Sequence, residues 1–135
     1  MIVVDASAIL EVLLSTPAAS RMAKRLFAPG ETLHAPHLLD VEVAHVLRRY
    51  WLAGDLSVQE GLDALYDLAE LPLTRYPHSF SLPRIWELRQ HFTAYDAVYL
   101  ALAESLRAPL VTCDRALASS RGHKAKVELI SQNPV

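Results

Sequence analysis

Apolar residues recur along this chain in two rhythms. Short unbroken runs, Ile2-Val3-Val4 and Leu110-Val111, have the length and β-branched content of buried strands. Longer stretches repeat apolar residues every three or four positions. Over Leu38 to Leu52, Leu39, Val43, Val46, Leu47 and Tyr50 fall on one helical face. Reading both rhythms from the N-terminus predicts a strand at residues 2–5, then a helix with Ser7 as its cap. A second helix follows from Pro17 across Ala18 to Ala28 and is broken by Pro29-Gly30. Thr32 to Ala35 reads as a strand, and Pro36 turns the chain into the long helix, which Gly54-Asp55 ends. Ser57 and Glu60 form a capping-box pattern for the next helix, closed by Pro72. Leu73 to Tyr76 reads as a strand, Ser81 and Pro83 open a helix to about His91, and Ala94 to Arg107 is helical. Strands at Leu110 to Thr112 and Val127 to Ile130 complete the series. Short apolar strands alternating with helices predict an α/β fold with a mainly parallel central sheet. Such sheets bind ligands at the carboxyl ends of their strands.

Composition narrows the class. The chain has 135 residues, 52% of them hydrophobic, which suits one domain (residues 1–135) with a substantial core. Its formal charge of −2 is not the basic balance of a typical nucleic-acid-binding domain. A local basic face can still accompany an acidic pocket. A single cysteine, Cys113, excludes an internal disulfide and a cysteine-rich zinc site, in keeping with a reducing cytoplasm. The start, MIVVDASAIL, lacks a basic leader and meets Asp5 and Glu11 early, so it does not read as a signal peptide. No apolar stretch is long enough to span a bilayer, so no membrane partner is expected.

The chemistry lies in four acids placed where elements end or turn inward: Asp5, Glu42, Asp96 and Asp114. Asp5 and Asp114 close apolar runs at the carboxyl ends of two strands. Glu42 lies three residues after Leu39 and four before Val46, on or beside an apolar face. Asp96 opens a helix, with Tyr99 and Leu100 on the same side. Each has an ordinary use: Asp5 and Asp114 as helix caps, Asp96 as a favourable charge at a helix N-terminus, Glu42 as a stem covering apolar surface. Gathered in one pocket they would repel and raise one another's pKa unless a cation neutralised them. A divalent-metal site serving phosphodiester cleavage is the economical use of such a cluster.

The pieces IVVDASAIL, PHLLDVEVAHVLRR (Pro36 to Arg49), TAYDAVYLALAESL and PLVTCDRAL, with a final VELI, occur in an order that resembles the PIN-domain ribonucleases, specifically the VapC-type toxins of bacterial and archaeal toxin–antitoxin pairs. The resemblance spans essentially the whole chain. It implies a three-layer α/β/α sandwich with Asp5, Glu42, Asp96 and Asp114 as an acidic quartet holding Mg²⁺ or Mn²⁺, and with Ser7 and Thr112 as polar members of the pocket. It implies hydrolysis of structured RNA, such as tRNA or rRNA, to a 3′-hydroxyl and a 5′-phosphate. It also implies a VapB-type antitoxin partner, a toxin homodimer and a cytoplasmic site of action. One departure is His45, at a position where the family often has asparagine.

The remaining reactive residues form no competing signature. The six histidines make neither an HExxH nor a zinc-finger spacing; His45, three residues after Glu42, is placed to orient it or to sit partly buried. Cys113 has no Cys–His context and Ser7 no GxSxG context. Basic residues are scattered, among them Arg48, Arg49, Arg75, Arg84, Arg89, Arg121, Lys124 and Lys126, and read mostly as solvated surface. Arg115, beside Asp114, is the candidate RNA contact. Tyr50, Trp51, Trp86, Phe92 and Tyr95 suit a core or an interface; Tyr95 is also a candidate base-stacking residue.

Two rivals stay open at this level. A non-catalytic RNA- or protein-binding module on the same fold would share every structural feature. A phosphoryl-accepting α/β domain also places aspartates at strand ends. A DxD phosphatase, however, needs an acid where Ser7 stands, and a receiver needs an aspartate where the chain runs Leu73-Thr74-Arg75-Tyr76.

Overall fold

A computed structural model describes residues 1–132. The chain runs β1 (Ile2–Val4), α1 (Ala6–Leu13), α2 (Ala19–Leu26), β2 (Leu33–Pro36), α3 (Leu38–Leu52), α4 (Val58–Glu70), β3 (Leu73–Tyr76), a 3₁₀ turn (Ser79–Ser81), α5 (Leu82–Glu87), α6 (Ala94–Leu106), β4 (Leu110–Thr112), α7 (Arg115–Ala118) and β5 (Val127–Leu129). The strands form one sheet in the order β3-β2-β1-β4-β5, with every pair parallel.

This order decides where the helices go. Parallel connections are right-handed. The chain steps one way from β1 to β2 to β3, so α1 to α4 pack on one face. It then returns across the sheet to β4 and β5, which puts α5, α6 and α7 on the other. The result is the α/β/α sandwich, with α6 lying across β1, β2 and β4 and α1 against β4. The direction reverses between β1 and β4, and the crevice at such a switch point is where parallel sheets bind ligands.

Burial follows. Covered on both faces, β1 is apolar throughout: Ile2, Val3 and Val4 are at most 1% exposed. Every residue of α6 from Ala97 to Ala103 is buried, so this helix is apolar on all sides rather than along a stripe. The capping box forms as read: Ser57 Oγ accepts from the Glu60 N–H at 3.0 Å and Glu60 Oε1 from the Ser57 N–H at 3.0 Å. Gly54, with φ of 81°, supplies the left-handed turn after α3.

The structure departs from the sequence reading in several places. Of the two caps read for α1, Asp5 takes the role and Ser7 does not. The helix opened by Pro83 stops at Glu87; beyond it Arg89 and His91 N–H groups donate to carbonyls three residues back, in 3₁₀-type turns. Tyr50 is 40% exposed, off the buried face of α3, where Leu39, Val43 and Leu47 carry the packing. Arg75 and Arg84 are not merely solvated. Arg75 clasps both carboxylate oxygens of Asp40 at 2.7 and 3.0 Å, and Arg84 those of Glu104 at 2.7 and 3.0 Å.

Candidate active site

Asp5 leaves β1 in extended geometry and turns directly into α1. Its Oδ1 accepts from the Ala8 N–H at 3.0 Å, closing the helix end, and from Ser7 Oγ at 2.6 Å. Its Oδ2 accepts from the hydroxyl of Thr112, the last residue of β4. Each hydroxyl has one proton and both protons point at Asp5. The two hydroxyl oxygens stand 3.2 Å apart, and each accepts in turn a backbone N–H from the β4–α7 turn: Cys113 to Ser7 at 2.9 Å, Asp114 to Thr112 at 3.0 Å. Ser7 and Thr112 therefore join the ends of β1 and β4 through the Asp5 carboxylate.

Asp5 is 7% exposed, and burial raises its pKa despite these donors; the charge of Asp114 adds to the rise. Burial likewise raises the pKa of Glu42, with the charges of Asp5 and Asp96 contributing, and that of Asp96, with Asp114 contributing. The four carboxylates thus act on one another in a closed ring: Asp5 with Asp114, Asp114 with Asp96, Asp96 with Glu42, Glu42 with Asp5. None of the four belongs to an ion pair among the described residues.

The acids differ in how they are held. Thr93 Oγ1 accepts from the Asp96 N–H at 3.2 Å and so caps α6, which sets Asp96 in the first turn of that helix. Asp114 takes the cap role: Oδ1 caps α7 through the Leu117 N–H at 3.1 Å, while its charge contributes to the raised pKa of Asp5 and Asp96. Glu42 is held by Tyr99, whose hydroxyl donates to Oε1 at 2.5 Å. Tyr99 is 2% exposed, and burial with the nearby Glu42 charge pushes its phenol up, so it stays a donor. His45, expected to orient Glu42 or to sit partly buried, does neither: it is exposed and makes no bond to Glu42.

Tyr99 is the site residue that sequence reasoning did not assign. Its signal was a hydroxyl in a helix buried on all sides, which needs a polar partner. Cys113 is 8% exposed, and burial pushes its thiol up to about 12, consistent with an inert side chain. Arg115 is exposed at the first turn of α7, its guanidinium 3.5 Å from Ser131 Oγ.

As placed, no three His, Cys, Asp or Glu side chains among the described residues stand close enough to hold one ion together. Three of the acids are engaged elsewhere: Asp5 accepts from Ser7, Thr112 and Ala8, three of about four bonds a carboxylate can accept, Glu42 is turned to Tyr99, and Asp114 caps α7. The donor set is nevertheless all oxygen and anionic, and unpaired with any cationic side chain among the described residues, which fits a hard divalent cation. Magnesium in particular binds through one or two carboxylates and keeps several waters.

A PIN domain family model matches residues 2–121. The chain is 44% identical over 131 residues to Ribonuclease VapC12 of Mycobacterium tuberculosis, covering 97% of this chain and 100% of that one. It is 46% identical over 120 residues to VapC ribonuclease Mb0985 of Mycobacterium bovis, covering 89% and 91%. A toxin–antitoxin complex from Klebsiella pneumoniae shares the fold, with a TM-score of 0.66 at 17% identity over 89% of this chain and 92% of that one. A strand-end carboxylate pinned between β1 and β4, with relatedness along nearly the whole chain, leads to one assignment: the chain belongs to the PIN-domain family, among its VapC ribonucleases.

Proposed function

We propose that this VapC-family ribonuclease is the toxin of a type II toxin–antitoxin pair and cuts structured RNA, tRNA or rRNA, in the cytoplasm with Mg²⁺ or Mn²⁺. The observation that carries the metal-dependent reading is the ring of four carboxylates that raise one another's pKa near the switch point of the sheet, with no cationic side chain paired to any of them among the described residues. Asp5, Glu42 and Asp96 would hold the ion, with Asp114 assisting through water. The bound cation supplies Lewis-acid polarisation of the phosphate and makes water nucleophilic at neutral pH.

The chain's own residues do the positioning. Ser7 and Thr112 lock both oxygens of Asp5 in direction, so that acid needs no reorganisation during turnover. Tyr99 occupies Oε1 of Glu42 and leaves Oε2 for the cation or a water. The N-terminus of α6 favours the ionised form of Asp96 against its burial.

The relatives support the remaining parts: the mycobacterial proteins are ribonucleases, and the Klebsiella protein is in complex with an antitoxin. A VapB-type antitoxin that covers the acids and a homodimer of the toxin complete the proposal. The test is incubation of the purified protein with total RNA in Mg²⁺, in Mn²⁺ and in EDTA, beside Asp5→Asn and Asp96→Asn. Cleavage in the metals alone, lost in both variants while circular dichroism stays native, is the expected result. Undiminished cleavage in EDTA or by both variants would refute the mechanism.

A further inference from the structure

A cleft of about 570 Å³ opens beside the acids, between α3 and the start of α6, with Ala6 at its floor. It shares Glu42 with the site but is otherwise built from residues the mechanism does not use. Val41 and Val46 line it from α3, on either side of Glu42. Tyr95, the residue before Asp96, lines it from α6. Its ring is 63% exposed, and its hydroxyl has no hydrogen-bond partner among the described residues. Val41 is 67% exposed. An aromatic ring and aliphatic side chains left open to water in one cleft offer a surface on which a base can stack.

Charge along the slot is ordered. Glu42, His45 and Arg49 follow one another at helical spacing on α3 and all line the cleft. At 1.5 Å per residue, His45 lies about 4.5 Å and Arg49 about 10.5 Å from Glu42 along the axis. Neither side chain has a hydrogen-bond or ion-pair partner among the described residues. Arg25, Arg75 and Arg84 by contrast each grip a carboxylate. Acid at the reacting end, with an imidazole and a guanidinium without partners further along the same helix, suits a polyanionic strand whose reacting phosphate sits at the acids. The apolar side chains and the Tyr95 ring in the same cleft suit a flat base.

We propose that this cleft seats the unpaired base adjoining the scissile phosphate, stacked on Tyr95, with His45 and Arg49 on the neighbouring backbone phosphates. The proposal rests on the ribonuclease reading above and names its substrate subsite.

The test is binding of a fluorescein-labelled, mixed-sequence single-stranded oligoribonucleotide in EDTA. Anisotropy is followed over a salt series for the wild type, Tyr95→Ala, Tyr95→Phe and Arg49→Ala. Both positions are exposed, so the variants are expected to fold, and circular dichroism checks this. Tyr95→Ala should weaken binding tenfold or more, while Tyr95→Phe, which keeps the stacking face, stays within about threefold. Arg49→Ala should weaken binding and flatten the slope of log K against log salt by about 0.7, the loss of one phosphate contact to a single strand. Mg²⁺-dependent cleavage of total RNA is measured in parallel, with Asp5→Asn as the inactive control. Wild-type-like binding and salt slope in Tyr95→Ala and Arg49→Ala overturn the proposal, as does absence of measurable binding by the wild type. It also falls if these variants keep RNA and lose only a protein partner. If the wild type shows no metal-dependent cleavage while the variants lose binding as expected, the catalytic mechanism fails and the subsite stands.

Discussion

Replacing Thr112 by valine separates the polar pin from everything else the residue does. Valine has nearly the same shape, and Thr112 is 0% exposed, so no cavity opens. Two specific losses remain. Asp5 Oδ2 loses its hydroxyl donor, and the Asp114 N–H loses its acceptor. A hydrogen bond to an ionised group contributes about 1.5–3 kcal/mol, and a polar group left without a partner costs about 1–3 kcal/mol. A new buried methyl returns roughly 1 kcal/mol. The net loss at neutral pH without metal is then about 1.5–5 kcal/mol, from a total stability on the order of 5–15 kcal/mol. The cost should depend on pH. The Thr112 bond lowers the Asp5 pKa against the rise caused by burial, so its removal lifts that pKa further. An acid whose folded pKa lies above its unfolded value destabilises the fold once pH exceeds the unfolded value, 3.8 for Asp5, and the penalty grows until the folded pKa is passed. Urea unfolding in EDTA, followed by far-ultraviolet circular dichroism between about pH 4 and pH 8, should show Thr112→Val much less stable than wild type at the upper end and closer to it at the lower. Thr112→Ser, which keeps the hydroxyl, should recover most of the loss at pH 8. A valine variant within about 1 kcal/mol of wild type at neutral pH, or one whose deficit does not shrink on acidification, would refute the reasoning.

Other expectations follow from the same geometry. Asp114→Asn keeps an oxygen for the Leu117 N–H cap and removes only charge, so a Mg²⁺ titration of cleavage rate should show weaker metal response with residual activity; identity with wild type at every concentration would strike Asp114 from the site. Tyr99→Phe frees Glu42 from its hydrogen bond and should raise the Mg²⁺ concentration needed for half-maximal cleavage severalfold while the fold persists; an unchanged midpoint would show that Glu42 needs no anchor. Ser57→Ala breaks the capping box of α4 far from the acids and should cost about 1 kcal/mol in urea unfolding, with cleavage per folded molecule unchanged.

Much of this architecture is legible in the residues because local rules and tertiary needs agree. The β-branched run at Ile2 to Val4 has a single good use, and the Ser57–Glu60 pair is a purely local device. Asp5 and Asp114 stand at strand ends in any parallel arrangement of these strands, so their shared edge can be anticipated. What was misread depends on partners distant in sequence. Asp5 and Ser7 are both good cap residues, and the choice between them is made by Thr112, which engages Asp5 from 107 positions away. Tyr99 reads as core filling until Glu42, 57 positions away, supplies its acceptor. Arg75 reads as solvated surface until Asp40 meets it across α3 and β3. His45 looked like a neighbour of Glu42 on the same helix face, but the cleft lets it point to water.

The pin between β1 and β4 also sets when in synthesis the Asp5 carboxylate is aimed. Asp5 precedes nearly all of the domain, yet its direction is fixed by Ser7 and Thr112 together, and the second of these is added 107 residues later. Synthesis is vectorial and the domain folds as a unit, so a growing chain that has already emitted β1, α1 and the acid-bearing α3 still lacks the hydroxyl that aims its first carboxylate. Closing so long a span is also slow relative to local helix formation. The first carboxylate of the candidate site is thereby aimed only when almost the whole sheet has been released.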